Sequence, residues 1–147
     1  MTRDTGVAIH SDALLGKRVL LAITGGIAAV ESVRLARELR RHQADLTVIM
    51  TEEATKIITP LAVSWGSDTI VHQGWSSEMS QLDDFDVTLI APATRNTISK
   101  HIHGIMDSPV MMALSASRGR KSKLCFVPSM HTVLFDDPVT SELIEAL

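Results

Sequence analysis

Residues 18–23, Arg18-Val-Leu-Leu-Ala-Ile23, form an apolar run of strand length with no polar alternation, and Thr24-Gly25-Gly26 follows at once. A strand without a polar face is buried on both sides, and the common way to achieve that is a parallel sheet covered by helices front and back. From Ile27 onward the apolar positions Ile27, Val30, Val33, Ala36 and Leu39 recur at helical spacing, with Arg34, Arg37, Glu38 and Arg41 on the other side. That amphipathic helix can cover one face of the sheet. A second short apolar strand, Asp45-Leu-Thr-Val-Ile-Met50, then leads into Thr51 and a Glu-rich helix start at Glu52-Glu53-Ala54.

The alternation continues along the chain. Pro60 marks a break, Leu61 to Trp65 reads as one further helical turn before a Gly66-Ser67-Asp68 turn, and Thr69-Ile70-Val71 is a weak strand. The stretch from His72 to Asp84 is polar and Ser-rich and receives no assignment. Asp86-Val-Thr-Leu-Ile-Ala91 is a clear strand ended by Pro92, and Asn96 to Met106 reads as a helix ending near Asp107-Ser108-Pro109. A helix over Val110 to Ala116 precedes the basic loop Arg118-Gly-Arg-Lys121. Lys123-Leu-Cys-Phe-Val127 is the last strand, and a terminal helix runs from about Pro138 to Leu147.

Strands alternating with helices predict an α/β fold: a doubly wound, Rossmann-like or flavodoxin-like parallel sheet flanked by helices. A chain of 147 residues suits one domain, here residues 17–147 behind an N-terminal extension over 1–16. Ligands of such sheets sit beyond the carboxyl ends of the strands. The functional segments are therefore expected at Thr24-Gly25-Gly26, Thr51-Glu52, Ala91-Pro-Ala-Thr94 and Pro128-Ser-Met-His131.

Composition narrows the function classes. Apolar residues make up 45% and charged residues 21%, an ordinary globular balance that argues against disorder. The net charge of −3 lacks the basic excess of a dedicated nucleic-acid binder. Cys125 is the only cysteine, which excludes an intrachain disulfide framework and a Cys-based zinc cluster and fits a reducing compartment. No apolar run reaches the ~20 residues of a membrane span, and the N-terminus lacks a signal-peptide core, so a soluble, cytoplasmic protein is expected.

Single motifs are ambiguous. Thr24-Gly25-Gly26 offers turn amides and a hydroxyl suited to an anion, although a glycine pair after a strand is often only a tight turn. It matches neither the dinucleotide fingerprint nor a Walker loop. Ala91-Pro92-Ala93-Thr94 with Asn96 offers small residues to a flat ligand and polar groups to hold it. His101 and His103, two apart, fall on different faces of a helix, so no metal pair is expected. Asp83, Asp84 and Asp86 read as a solvated turn, and Cys125, within a strand read as buried, as an inert packing group.

Taken in order and spacing, five segments resemble the FMN-binding cysteine decarboxylases. They are Ile23-Thr-Gly-Gly-Ile-Ala-Ala29, Thr51-Glu-Glu-Ala-Thr-Lys-Ile-Ile-Thr-Pro60, Ala91-Pro-Ala-Thr-Arg-Asn-Thr-Ile-Ser-Lys100, Gly104-Ile-Met-Asp107 and Val127-Pro-Ser-Met-His131. This family includes phosphopantothenoylcysteine decarboxylase of coenzyme A biosynthesis and the peptide-cysteine decarboxylases of lantibiotic maturation. The resemblance implies FMN held between subunits of a homotrimer or a multiple of it. It implies Thr24, Gly25, Gly26 and Ile27 at the phosphate end with Thr51 beside them, Ala91, Thr94 and Asn96 along the flavin, and contributions from Asp107, Ser108 and Ser129. The implied reaction moves a hydride from the substrate cysteine to the flavin, after which the thioaldehyde loses carbon dioxide while the protein supplies positioning and a base.

The chain departs from the family pattern in three places. An ungapped count puts Glu78 where the family commonly carries its catalytic His; a gap would bring another residue, even His72, there. A carboxylate near its reference pKa of ~4.3 is a weaker base than imidazole. His131 replaces the Asn that meets the substrate carboxylate and can still donate a hydrogen bond to it. Relatives usually continue past Leu147 with another strand and a flap carrying a Cys, for which Cys125 is in the wrong place. Glu78 and His131 are thus the catalytic candidates for decarboxylation of a cysteine-containing substrate, 4'-phosphopantothenoylcysteine in the leading reading. Glu78 and the absent flap also motivate an alternative, an FMN-binding electron carrier or reductase without decarboxylation. A third reading is a nucleotide-binding module without flavin.

Overall fold

The computed structural model describes residues 4–147. Five strands, β1 (Arg18–Ile23), β2 (Asp45–Met50), β3 (Val71–Gln73), β4 (Val87–Ala93) and β5 (Lys123–Pro128), form one parallel sheet in the order β3-β2-β1-β4-β5. The lack of alternation in β1 has the anticipated cause. Val19, Leu21 and Ile23 enter one core with Val48, Met50 and Val63, while Leu20 and Ala22 enter the other with Ile90, Ile98 and Leu114.

Helices α1 (Ser32–Arg41) and α3 (Pro60–Ser67) cover the first face, and α4 (Arg95–Ile102), α5 (Pro109–Gly119) and α7 (Pro138–Glu145) the second. Two single turns, α2 (Glu52–Thr55) and α6 (Thr132–Phe135), complete the helical set. The strand order reverses at β1, which pairs with β2 on one side and β4 on the other. Chain leaving these strands departs in opposite directions, and a crevice opens at their carboxyl ends.

Several expected boundaries move, each for a local reason. The helix after Gly26 begins as a 3-10 turn over Ile27–Glu31 before becoming α1. The strand expected to stop at Pro92 continues to Ala93, across an irregularity in its pairing with β5 where a residue lacking an N–H is tolerated. The helix expected to reach Met106 ends at Ile102, because Gly104 at φ +71° lets Gly104 N–H bond His101 O and Ile105 N–H bond Lys100 O. Helix α3 absorbs Gly66 and Ser67, expected in a turn, and ends at left-handed Asp68. A Cβ on Gly66 would lie 2.9 Å from Val33 Cγ1, so that glycine marks a helix–helix contact rather than a turn.

Other elements shift by smaller amounts. β3 overlaps the expected Thr69–Val71 strand only at Val71, α5 runs through Arg118 into the expected basic loop, and α6 was not anticipated. Cys125, expected to be buried, is exposed: β5 is an edge strand on which only the Leu124 and Phe126 side is packed. The segment ahead of β1 lies against α1, where His10 and Ser11 N–H groups reach Arg41 O and Leu14 N–H reaches His42 O. The Ser11 hydroxyl meets His42 Nδ1 at 2.6 Å, and Arg37 donates to the Thr5 and Gly6 carbonyls.

Candidate active site

Of the helices that begin at the carboxyl end of the sheet, α2, α4 and α5 are each capped by a hydroxyl residue. Thr51 Oγ1 accepts from Ala54 N–H at 3.1 Å, Thr94 Oγ1 from Thr97 N–H at 3.2 Å, and Ser108 Oγ from Met111 N–H at 3.3 Å. Each cap satisfies one amide that a helix start leaves unpaired. All three rim a single cleft of about 440 Å³. A capping oxygen used as acceptor still has its O–H to donate; the Thr94 and Thr97 hydroxyls bond each other at 2.9 Å with either as donor, while the Thr51 and Ser108 O–H groups remain available to a ligand.

The Thr24-Gly25-Gly26 turn forms the floor. Thr24 is fully buried, and its hydroxyl donates to Pro92 O at 2.6 Å while accepting from Thr94 N–H at 3.0 Å. It fixes the turn after β1 to the turn after β4 instead of facing a ligand. Gly25 lines the cleft, and a Cβ there would meet Glu53 Cβ at 2.5 Å. The glycine is therefore required by the approach of α2. Ala91 is buried in the sheet behind this wall and lines neither cavity described here.

A groove of about 600 Å³ adjoins the cleft and shares Thr94 and Asn96 with it. Gly26, Ile27, Ser129 and His131 line it. His131 caps α6: its Nδ1 accepts from Val133 N–H at 3.2 Å. A neutral ring with Nδ1 occupied as acceptor carries its proton on Nε2, leaving an outward N–H donor. Arg95, also in the groove, reaches Asp137 Oδ2 at 2.5 Å and so ties α4 to the start of α7; this guanidinium holds the Asp137 carboxyl below the usual carboxylate range.

The cleft carries one ion pair, Lys100 Nζ to Asp107 Oδ2 at 2.7 Å. The ammonium lowers the Asp107 carboxyl below its ordinary value, chiefly through this hydrogen bond. Glu52 and Glu53 line the same space, so Lys100 is a cation among three carboxylates. Among the described residues, no group of three or more His, Cys, Asp or Glu is arranged to hold a metal ion.

Of the expected site residues, Gly25, Thr51, Thr94, Asn96, Asp107 and Ser108 meet in the cleft, and Gly26, Ile27, Ser129 and His131 in the groove. Glu78 joins neither. It lines a separate cavity of about 320 Å³ beside β3, together with His72 and with Ser80, whose hydroxyl lies 3.3 Å from His72 Nδ1. Lys100 and Thr97 were not among the residues expected in the site. Helical spacing held the signal: Lys100 follows Asn96 by four and Thr97 by three, which places all three on one face of α4.

Comparison with known proteins agrees with this architecture. The Flavoprotein family model matches residues 7–147. The coenzyme A biosynthesis bifunctional protein CoaBC of Thermococcus kodakarensis is 40% identical over 147 residues, covering 95% of this chain and 36% of the relative. The chain thus spans about a third of the length of that bifunctional relative. The probable phosphopantothenoylcysteine decarboxylase of Streptococcus mutans is 30% identical over 139 residues, covering 89% of this chain and 77% of the relative. Among solved structures, the FMN-dependent cysteine decarboxylase SpaF superposes with a TM-score of 0.81 at 23% identity, over 92% of this chain and 81% of that one. A PPC decarboxylase variant complexed with pantothenoylaminoethenethiol superposes with a TM-score of 0.77 at 21% identity, over 89% and 76%. A sheet that reverses at β1, capped turns facing one cleft, and a family match running almost the whole length lead to one conclusion: the chain belongs to the Flavoprotein family.

Proposed function

We propose that the chain binds FMN and decarboxylates a cysteine-containing substrate, with 4'-phosphopantothenoylcysteine as that substrate and coenzyme A biosynthesis as the setting. The observation that carries the reading is the convergence of the Gly25 turn and the Thr51, Thr94 and Ser108 caps on one cleft, next to a groove edged by His131. The donor set fits FMN. Free hydroxyl protons and turn amides suit a phosphate, Lys100 offsets part of the negative charge of Glu52, Glu53 and Asp107, and Gly26, lacking a side chain, leaves room for a flat ring.

When bound, FMN supplies the hydride acceptor for the substrate's cysteine side chain. Thr24 holds the two turns together, Gly25 and Thr51 bind the phosphate end, and Thr94 and Asn96 orient the ring system. His131 Nε2–H binds the substrate carboxylate before it leaves as carbon dioxide. We assign the base to the His72–Glu78 cavity, which shares no residue with the cleft or groove and so reaches the substrate only across a subunit contact, in a homotrimer or a multiple of it in the cytoplasm, with residues 17–147 as the flavoprotein domain.

A second reading is favoured by the placement of Glu78 outside both cleft and groove: a flavin-bound electron carrier or reductase that releases no carbon dioxide. An anaerobic visible spectrum before and after 4'-phosphopantothenoylcysteine, with carbon dioxide trapped in the same cuvette, separates the two. Carbon dioxide released in proportion to substrate supports the decarboxylase. An unchanged flavin spectrum without carbon dioxide, in a protein whose flavin a pyridine nucleotide still reduces, overturns it in favour of the carrier.

A further inference from the structure

At the amino end of the sheet, opposite the cleft, α1 closes with His42 just before β2, and the segment ahead of β1 lies across it. Ser11 in that segment is fixed from both sides. Its N–H donates to Arg41 O at 3.4 Å, its carbonyl accepts from Gln43 Nε2 at 3.1 Å, and the turn that follows is tied down by Leu14 N–H on His42 O at 2.9 Å. The Ser11 hydroxyl is thereby held 2.6 Å from His42 Nδ1. The other ring nitrogen, His42 Nε2, lies 3.1 Å from Glu38 Oε1, one turn back along the helix.

These contacts define where the protons sit. Arg41 Nη1 donates to the second Glu38 oxygen, Oε2, at 2.9 Å, and this guanidinium, together with the His42 ring, holds the Glu38 carboxyl below the usual carboxylate range. An ionised carboxylate can only accept, so Nε2 carries the ring proton and Nδ1 presents its lone pair to the Ser11 O–H. A serine hydroxyl donating to an imidazole whose far N–H meets a carboxylate is the arrangement that makes serine a nucleophile. Two amides complete it. Ala13 N–H donates to Ser11 Oγ at 3.2 Å and steadies that oxygen as its proton leaves, while Asp12 N–H has no acceptor among the described residues and is free to meet the oxygen of a carbonyl. Ser11, His42 and Glu38 line neither the cleft nor the groove.

We propose that Ser11, His42 and Glu38 form a second site that hydrolyses carboxylic esters of acidic alcohols such as phenols. Ser11 Oγ bonds to the ester carbonyl carbon while its proton passes to His42 Nδ1, and Glu38 stabilises the resulting imidazolium. The bond to the alcohol oxygen then breaks, and that oxygen leaves with the Nδ1 proton. Water attacks the acyl-Ser11 carbonyl and gives a proton to Nδ1, which returns it to Ser11 Oγ as the carboxylic acid departs. The His42 and Glu38 side chains are 33% and 50% exposed, so water is not excluded, and the leaving group must itself be a stable anion. Ile9 and Leu15, exposed in the same segment, offer apolar surface to a short acyl chain. The proposal is independent of the flavin reading, because the two sites share no residue.

Treatment of the protein with a fluorophosphonate, which phosphonylates an activated serine with loss of fluoride, tests the proposal. The expected result is one adduct per chain, mapped to Ser11 by peptide mass spectrometry, and hydrolysis of p-nitrophenyl butyrate that the adduct abolishes. Hydrolysis is read in a Cys125→Ser background, because the exposed thiol also attacks aryl esters. Ser11→Ala should lose both adduct and hydrolysis, His42→Gln should slow both at least a hundredfold, and Glu38→Gln about tenfold or more. A cooperative thermal transition in each variant separates loss of the site from loss of the fold. A Ser11 that only pins the segment ahead of β1 would react no faster than any other serine. The proposal is overturned if the fluorophosphonate leaves Ser11 unmodified or labels several serines alike. It is equally overturned if Ser11→Ala hydrolyses the ester at the natural rate, or if His42→Gln is labelled as fast as the natural protein.

Discussion

The Thr24 hydroxyl donates to the Pro92 carbonyl at 2.6 Å, and the same oxygen accepts from Thr94 N–H at 3.0 Å. One buried side chain thereby joins the two strand ends on either side of the sheet's reversal point. Thr24→Val keeps the shape and removes both side-chain bonds, leaving the part-buried Thr94 N–H unpaired and Pro92 O with only the Thr24 N–H, at 3.3 Å, as donor. A loss of about 1–3 kcal/mol in urea unfolding is expected, together with weaker FMN binding. Unchanged stability would mean that the two turns are held together by packing alone.

Gly25 and Gly26 are adjacent in sequence but differ in their surroundings. A Cβ at Gly25 would meet Glu53 Cβ at 2.5 Å, whereas one at Gly26 would find Pro92 Cγ at an ordinary 3.5 Å. Gly25→Ala should therefore displace α2 and cost about 1–3 kcal/mol with loss of bound flavin. Gly26→Ala should leave the fold within about 0.5 kcal/mol of the natural protein. Flavin absorbance per protein and thermal unfolding of the two variants check the contrast.

Lys100 offsets part of the negative charge of Glu52, Glu53 and Asp107 in the cleft. Lys100→Met should weaken FMN binding about tenfold and return the Asp107 carboxyl toward its ordinary value, while Lys100→Arg should retain most of the affinity. Flavin fluorescence titration reads the first effect and carboxyl ¹³C NMR the second.

His131 caps α6 with Nδ1 and offers Nε2–H to the groove. His131→Asn keeps both a capping group and a donor, whereas His131→Ala keeps neither. Carbon dioxide release should fall at least a hundredfold in the alanine variant and stay within about tenfold in the asparagine variant, with FMN bound in both. Equal rates in the two variants would remove His131 from the reaction.

His101 makes stability depend on pH. Burial, reinforced by the Arg118 charge, lowers its pKa from 6.5 to about 4 in the folded chain. Between these values the unfolded chain binds a proton that the folded chain refuses, so stability falls as pH drops from about 6.5 toward 4 and levels off below. The loss is up to about 3 kcal/mol. Comparison of urea midpoints for the natural protein and His101→Gln across that range should show a shallower slope in the variant.

The fold was legible because its signals are local and repeated. The unbroken apolar run of β1, the largely apolar β2 and helical spacing from Ile27 onward each imply burial of a particular geometry, and the sheet follows from their alternation. The exact limits of β4 and α4 were less legible. The first depends on a pairing irregularity with β5, and the second on the φ of Gly104 rather than on hydrophobic pattern.

The sequence by itself determined the architecture, the family and the strand-end segments that line the cleft and groove, since strand-end turns and capping residues are written in contiguous stretches. Tertiary structure alone decided what those residues do. It turned Thr24 inward as a latch, brought Lys100 into the cleft, left Glu78 beside His72 at the sheet edge, and exposed Cys125 on β5. Each outcome depends on which strand neighbours which and which faces are covered. Sequence periodicity reports the burial of a face but carries no record of its neighbours across the fold.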